Sequence, residues 1–222
     1  MIPVPVGVEK SIRNVVEDRG RIFSMEMDKM KKMVDFFFEI GMLKKTPRSG
    51  FLFLGSGEES VAEHSFRTAM IGYMLGKMEQ GADWIKILLM CLFHDVHEAR
   101  TGDFNYVNRL YDRAKEDRAI HDALKDTGIE EEILPLLKEL EEAESQEAML
   151  AHDADQLELI LSLKEQMDLG NPYAEEWIKY ALERLRTDTG RRVAEKILET
   201  DHTDWWFQGV DKSWWARKNG KK

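Results

Sequence analysis

Cysteine is nearly absent from this chain of 222 residues: the single Cys91 rules out an internal disulfide and any multi-cysteine zinc or iron–sulfur site. It lies inside the apolar run Ile87-Leu88-Leu89-Met90-Cys91-Leu92-Phe93, which marks it as a small buried hydrophobe. Prolines number only five, and sustained apolar–polar alternation is missing, so strands are not expected. No apolar stretch reaches the roughly 20 residues that a membrane-crossing helix needs. Met1-Ile2-Pro3-Val4-Pro5-Val6-Gly7 lacks the basic flank and longer apolar run of a secretory signal, so the expectation is a cytoplasmic protein without membrane association. Positive charge is in deficit, with 32 Lys and Arg against 42 Asp and Glu and a net charge of -10. That balance argues against a nucleic-acid polymer as partner, because a phosphate backbone needs clustered cations. A single nucleotide is compatible with it, since a small pocket needs only one or two local cations.

What remains is dominated by apolar residues at three-to-four-residue spacing, the pattern of packed helices. Helices are expected near 8–20, 24–42, 60–79, 82–99, 104–126, 129–142, 144–169, 172–187 and 189–200. They would build one domain over 1–200, followed by a Trp-rich tail over 201–222. Proline and repeated glycine break the early pattern from Lys44 through Gly57. Glu141-Glu142-Ala143-Glu144 reads as a solvated face or a helix junction. The tail holds Trp205, Trp206, Trp214 and Trp215, four of the six tryptophans. Such bulk is expected to pack over the helical body or a partner subunit, with lining of a substrate pocket as the alternative.

The chemistry concentrates at His94-Asp95, which ends the apolar run where an uncompensated polar doublet would be costly to bury. His64 lies one segment earlier, and Asp155 lies in the later half. Two imidazoles and two carboxylates can hold one divalent metal. Nitrogen and oxygen donors without thiolate suit Mn, Co, Fe, Ni, Zn or Mg, and an octahedral ion would keep positions for water or a phosphate oxygen. Such an ion makes a water-derived nucleophile accessible near neutral pH, so hydrolysis is the chemistry suggested.

Three blocks occur in order: Ser60-Val61-Ala62-Glu63-His64-Ser65, His94-Asp95-Val96-His97-Glu98-Ala99-Arg100-Thr101-Gly102-Asp103 and Ala154-Asp155-Gln156-Leu157-Glu158. Together they resemble the HD-domain metal-dependent phosphohydrolases. Upstream, Leu43-Lys44-Lys45-Thr46-Pro47-Arg48-Ser49-Gly50-Phe51 is similar to the segment before the first metal histidine in the 5′-deoxynucleotidase branch. The likeness spans about residues 43–165. It implies an all-α HD-type helical bundle in which His64, His94, Asp95 and Asp155 ligate one metal. Asp153 competes as the last ligand, but two residues along a helix turn a side chain to nearly the opposite face. The Ala-Asp-x-Leu-Glu pattern favours Asp155 and leaves Asp153 as a surface or capping carboxylate.

Glu98 lies four residues after His94 and shares its face if the helix continues, a position suited to a general acid or base. The resemblance places its counterpart beside the catalytic centre and matches Asp103 to an acid that contacts substrate or water. A surface ion pair for Glu98 and a helix cap for Asp103 are the structural alternatives. Arg48 matches a family arginine whose guanidinium can hold two phosphate oxygens. Phe51 stands where related sequences commonly carry tryptophan, which weakens any inference about sugar selectivity. His97 is a candidate for support behind the ligands, His121 and His152 for a second metal, and His202 for a structural role. The reaction expected is hydrolysis of a (deoxy)nucleoside 5′-monophosphate by a homodimer. Another nucleotide (triphosphate, cyclic nucleotide or alarmone) and a non-catalytic metal-stabilised interaction protein remain as alternatives.

Overall fold

The computed structural model describes residues 25–112 and 115–208. The expected helix over 8–20, together with Trp214 and Trp215, lies outside them. The described chain is helical, and its only strand-like pairing is one antiparallel bridge between Pro47 and Ser60. Helix α1 covers 25–40 and runs into a 3-10 turn at Gly41–Lys44. There follow α2 (Phe51–Leu54), α3 (Val61–Met78), α4 (Trp84–Phe93), α5 (Glu98–Thr101), α6 (Tyr106–Tyr111) and α7 (Glu116–Leu124). The second half comprises α8 (Glu130–Glu142), α9 (Gln146–Asp168), α10 (Ala174–Glu183), α11 (Asp188–Glu199) and the short α12 (Asp204–Phe207).

Helix α9 is the centre of the bundle, packing against α3, α4, α8, α10 and α11. Its sequence permits this because small and apolar residues recur around its whole circumference: Ala148, Leu150, Ala151, Ala154, Leu157 and Ile160 are all buried. Each fully buried leucine or isoleucine contributes roughly 1.5–3 kcal/mol. A second apolar cluster joins Phe36, Leu43, Val61, Ile120, Leu124 and Ile133 around the other side of α4. Polar residues start the helices where the pattern predicts. Ser60 and Glu63 form a reciprocal capping box on α3, Asp83 caps α4, Ser145 caps α9, and Thr187 caps α11.

Two expected helices are interrupted. The segment expected over 82–99 leaves α-helical form after Phe93. Bonds from Val96 N to Phe93 O and from Glu98 N to Asp95 O tighten the chain into i to i-3 turns before α5. The segment expected over 104–126 divides into α6 and α7 around Asp112. The break expected between Lys44 and Gly57 contains the single turn α2, which forms because Leu54 reaches an apolar cluster with Leu163 and Ile178.

Asp153 is not a surface residue: it is buried, and accepts hydrogen bonds from Arg186 N at 2.7 Å, Thr187 N at 2.8 Å and Thr187 Oγ1 at 2.6 Å. It thereby caps the entry to α11, the other role expected of it.

The approach of α3 to α4 depends on Gly72, where an added Cβ would stand 2.6 Å from Cys91 Sγ and 3.2 Å from an Ile87 methyl. Gly72→Val should therefore destabilise the fold by about 1–3 kcal/mol through overpacking. Thermal denaturation followed by circular dichroism checks this, and an unchanged midpoint would contradict the packing described.

Candidate metal centre

Three segments bring the donors together. His64 projects from the first turn of α3, His94 and Asp95 occupy the tightened turn after α4, and Asp155 lies midway along α9. His64 Nε2 stands 3.2 Å from His94 Nε2, 3.2 Å from Asp155 Oδ1 and 3.5 Å from Asp95 Oδ2. His94 Nε2 is 3.1 Å from Asp95 Oδ2 and 3.9 Å from Asp155 Oδ1. His64 is fully buried, whereas the Asp155 side chain keeps 30% exposure, so the cluster opens to small molecules on one side.

The far sides of both rings fix what they present to one another. His94 Nδ1 lies 2.8 Å from the Cys91 carbonyl, which can only accept, so that nitrogen carries the proton. His64 Nδ1 meets Glu158 Oε2 at 2.6 Å. With both Nδ1 atoms donating, neutral rings aim two Nε2 lone pairs at each other and at two carboxylate oxygens. This donor set lacks positive charge at its centre, and it fits a divalent cation of the nitrogen- and oxygen-binding class. Burial alone would lower the His64 imidazole, but Asp155 and Glu158 overturn this and raise it to about 10. Burial likewise opposes ionisation of Asp95 and Asp155, yet the neighbouring histidines and Arg48 hold both well below the usual carboxylate range.

Arg48 reaches the cluster through the bridge between Pro47 and Ser60, in which Arg48 N donates to Glu59 O at 2.8 Å and Val61 N to Thr46 O at 2.9 Å. Its Nη1 lies 3.3 Å from Asp95 Oδ2. Asp103 holds the same loop from the other side, accepting from Ser49 N at 2.7 Å, while Ser49 Oγ donates to the Asp103 carbonyl at 2.8 Å. Gly102 makes this possible with φ 75° and ψ 162°, a conformation essentially confined to glycine. The cap of α6 is Asn105, not Asp103. Glu98 is buried beside these groups and its Oε2 has no hydrogen-bond partner. Burial, reinforced by Asp95 and Asp103, pushes its carboxyl up to about 9.

Behind the cluster lies a layer that residue types alone did not single out. Arg67 donates to Glu158 Oε1 through Nε at 2.8 Å and Nη2 at 2.6 Å, and to Glu165 at 2.7 Å. Glu158 thus holds His64 while being held by Arg67. The available signal was spacing: Arg67 follows His64 by three residues, and Glu158 follows Asp155 by three, so each shares a helix face with a candidate ligand. Gln156 Nε2 also donates to Asp155 Oδ2 at 2.7 Å.

The remaining candidates lie beside the cluster or away from it. Phe51 packs in the apolar cluster of Leu54, Leu163 and Trp177. His97 Nδ1 lies 3.1 Å from the His94 carbonyl, beside the cluster. His121 is exposed on α7, and His152 Nδ1 lies 3.7 Å from Asp153 Oδ1. Among the described residues, neither joins a group of ligand atoms close enough to share an ion. His202 contacts Asp168, its backbone N donating at 3.0 Å. Trp205 borders a groove with Met78 and Leu161, away from the four-residue cluster.

Comparison with known proteins bears on the family and the fold. A family model described as HD domain matches residues 40–198. A protein of Dictyostelium discoideum named 5′-deoxynucleotidase HDDC2 is 34% identical over 148 residues, covering 61% of this chain and 78% of its own length. A Danio rerio protein of the same name is 30% identical over 150 residues, covering 64% and 74%. Among solved structures, a conserved hypothetical protein from Pyrococcus furiosus aligns with TM-score 0.64 and 30% identity, over 75% of this chain and 99% of that one. The chain belongs to the HD-domain family.

Proposed function

We propose that this protein is a metal-dependent phosphomonoesterase that converts (deoxy)nucleoside 5′-monophosphates to nucleoside and inorganic phosphate. The observation that carries the reading is the convergence of His64, His94 and Asp155, with Asp95 beside both imidazoles and the Arg48 guanidinium 3.3 Å from Asp95. The names of the relatives, 5′-deoxynucleotidases, support the substrate class. A divalent cation held by the four ligands would supply Lewis acidity at the phosphate.

The chain's own residues account for the rest. Arg48 binds non-bridging phosphate oxygens through its planar guanidinium. Asp103 fixes the loop that carries Arg48 through its bonds to Ser49. Glu98, buried with an unpartnered oxygen, manages the proton as water adds to phosphorus and the bond from phosphorus to O5′ breaks. The product oxygen leaves as a hydroxyl. Phe51 is a substrate contact in this reading on the resemblance alone, its ring packing with Leu54 and Trp177, and a cytoplasmic homodimer belongs to the same reading.

His94→Ala and Asp95→Ala should abolish turnover in assays of phosphate and nucleoside release across a panel of nucleotides and metals. In the same assay Arg48→Ala should raise KM by roughly 10–100-fold, and Glu98→Gln should lower kcat by about 10²–10⁴-fold. Wild-type rates in either ligand variant would contradict the assignment. A second prediction concerns the layer behind the ligands: Arg67→Ala and Glu158→Gln should each weaken metal affinity by about 10–100-fold. Isothermal titration with Mn or Co checks this, and unchanged affinity would remove the positioning role.

A further inference from the structure

A groove of about 600 Å³ runs along α11, and neither the four metal ligands nor Arg48 line it. Its apolar lining comes from Met78 of α3, Leu161 of α9, and Val193 and Ile197 of α11. Trp205 of α12 borders it with its side chain 86% exposed, so a flat indole is offered to solvent beside apolar side chains. Arg192, Lys196 and Thr200 line it too, at four-residue intervals along one face of α11 and its end. They span about 12 Å at 1.5 Å per residue.

The charges around this groove are unequally occupied. Lys164 is neutralised by Asp168, and Glu165 is held by Arg67 at 2.7 Å. Asp201 accepts from Thr203 N at 2.8 Å and from its Oγ1 at 2.6 Å. Lys196 shares an ion pair with Glu199, but both are solvent-exposed, so the pair is weak and open to exchange. Arg192 donates to the Thr189 hydroxyl at 2.9 Å and has no carboxylate partner among the described residues. In a chain of net charge -10, the cations open to an anion thus lie together on one face of α11.

We infer that this groove is a second nucleotide site, separate from the metal centre, and that its ligand is a nucleoside diphosphate. The base stacks on Trp205 beside Ile197, and the two phosphates lie along Lys196 and Arg192. Other occupants match less of the lining. An inorganic anion would leave the indole and the apolar side chains uncovered. A purely apolar ligand would desolvate Arg192 without giving it a partner. An extended peptide would find no strand edge to pair with, because helices form the walls.

Equilibrium dialysis of the full chain against labelled ADP, with a chelator present to exclude metal, tests the inference. Trp205→Ala should weaken binding by about 10–100-fold through lost stacking. Arg192→Glu should weaken it by at least ~10-fold through reversed charge, whereas Arg48→Ala should leave it unchanged. Adenosine and pyrophosphate each make half of the contacts, and each should bind at least ~10-fold more weakly than ADP. Photolabelling of the wild type with 8-azido-ADP, which depends on no variant's folding, should mark the peptide that holds Trp205. Absence of ADP binding, its retention in both groove variants or its loss in Arg48→Ala would overturn the inference. So would pyrophosphate or adenosine binding as tightly as ADP, or a label confined to other peptides. The hydrolase reading stands or falls on the metal ligands, which the groove does not contain, so the two fail separately.

Discussion

Electron-rich atoms from three segments converge, with the Arg48 guanidinium at their edge as the neighbouring fixed cation. Their orientation follows from the outer nitrogens. The Cys91 carbonyl and Glu158 each claim an Nδ1 proton, which turns both Nε2 lone pairs inward onto the carboxylates. Removing either outer partner would let a ring change tautomer and put a proton on the Nε2 that faces the carboxylates. The fold can be understood as the means of maintaining this arrangement.

Helix α9 supplies Asp155 and Glu158 from one face while it packs five other helices with the rest of its surface. Two residues before Asp155, Asp153 faces away and fastens the entry to α11. The turn after α4 places consecutive residues His94 and Asp95 into one cluster, which a regular helix would spread by about 100° around its axis. The same tightening brings Glu98 into the buried wall. The bridge between Pro47 and Ser60 makes the start of α3 and the Arg48 loop a single unit, so His64 and Arg48 are located together.

Much of this was legible in the sequence, for identifiable reasons. Histidine and aspartate at the end of an apolar run announce a compensated polar site; helical rotation says that only one of Asp153 and Asp155 turns inward, and the family's Ala-Asp-x-Leu-Glu pattern chooses Asp155. The break at His94 was not legible, because hydrophobic periodicity continues through residues that have left α-helical form. Glu158 and Arg67 were visible as types but not as partners, since their pairing joins α3 to α9 across 91 positions of sequence. Phe51 was assigned by likeness to an aromatic position, whereas apolar packing with Leu54 and Trp177 decides where its ring lies.

The most direct test is an anomalous-scattering map of crystals grown with manganese. The account predicts a peak within bonding distance of His64 Nε2, His94 Nε2, Asp95 and Asp155. A map without density there, or with its peak instead among Glu59, His64 and Glu158 or among Asp168, Asp201 and His202, would contradict it.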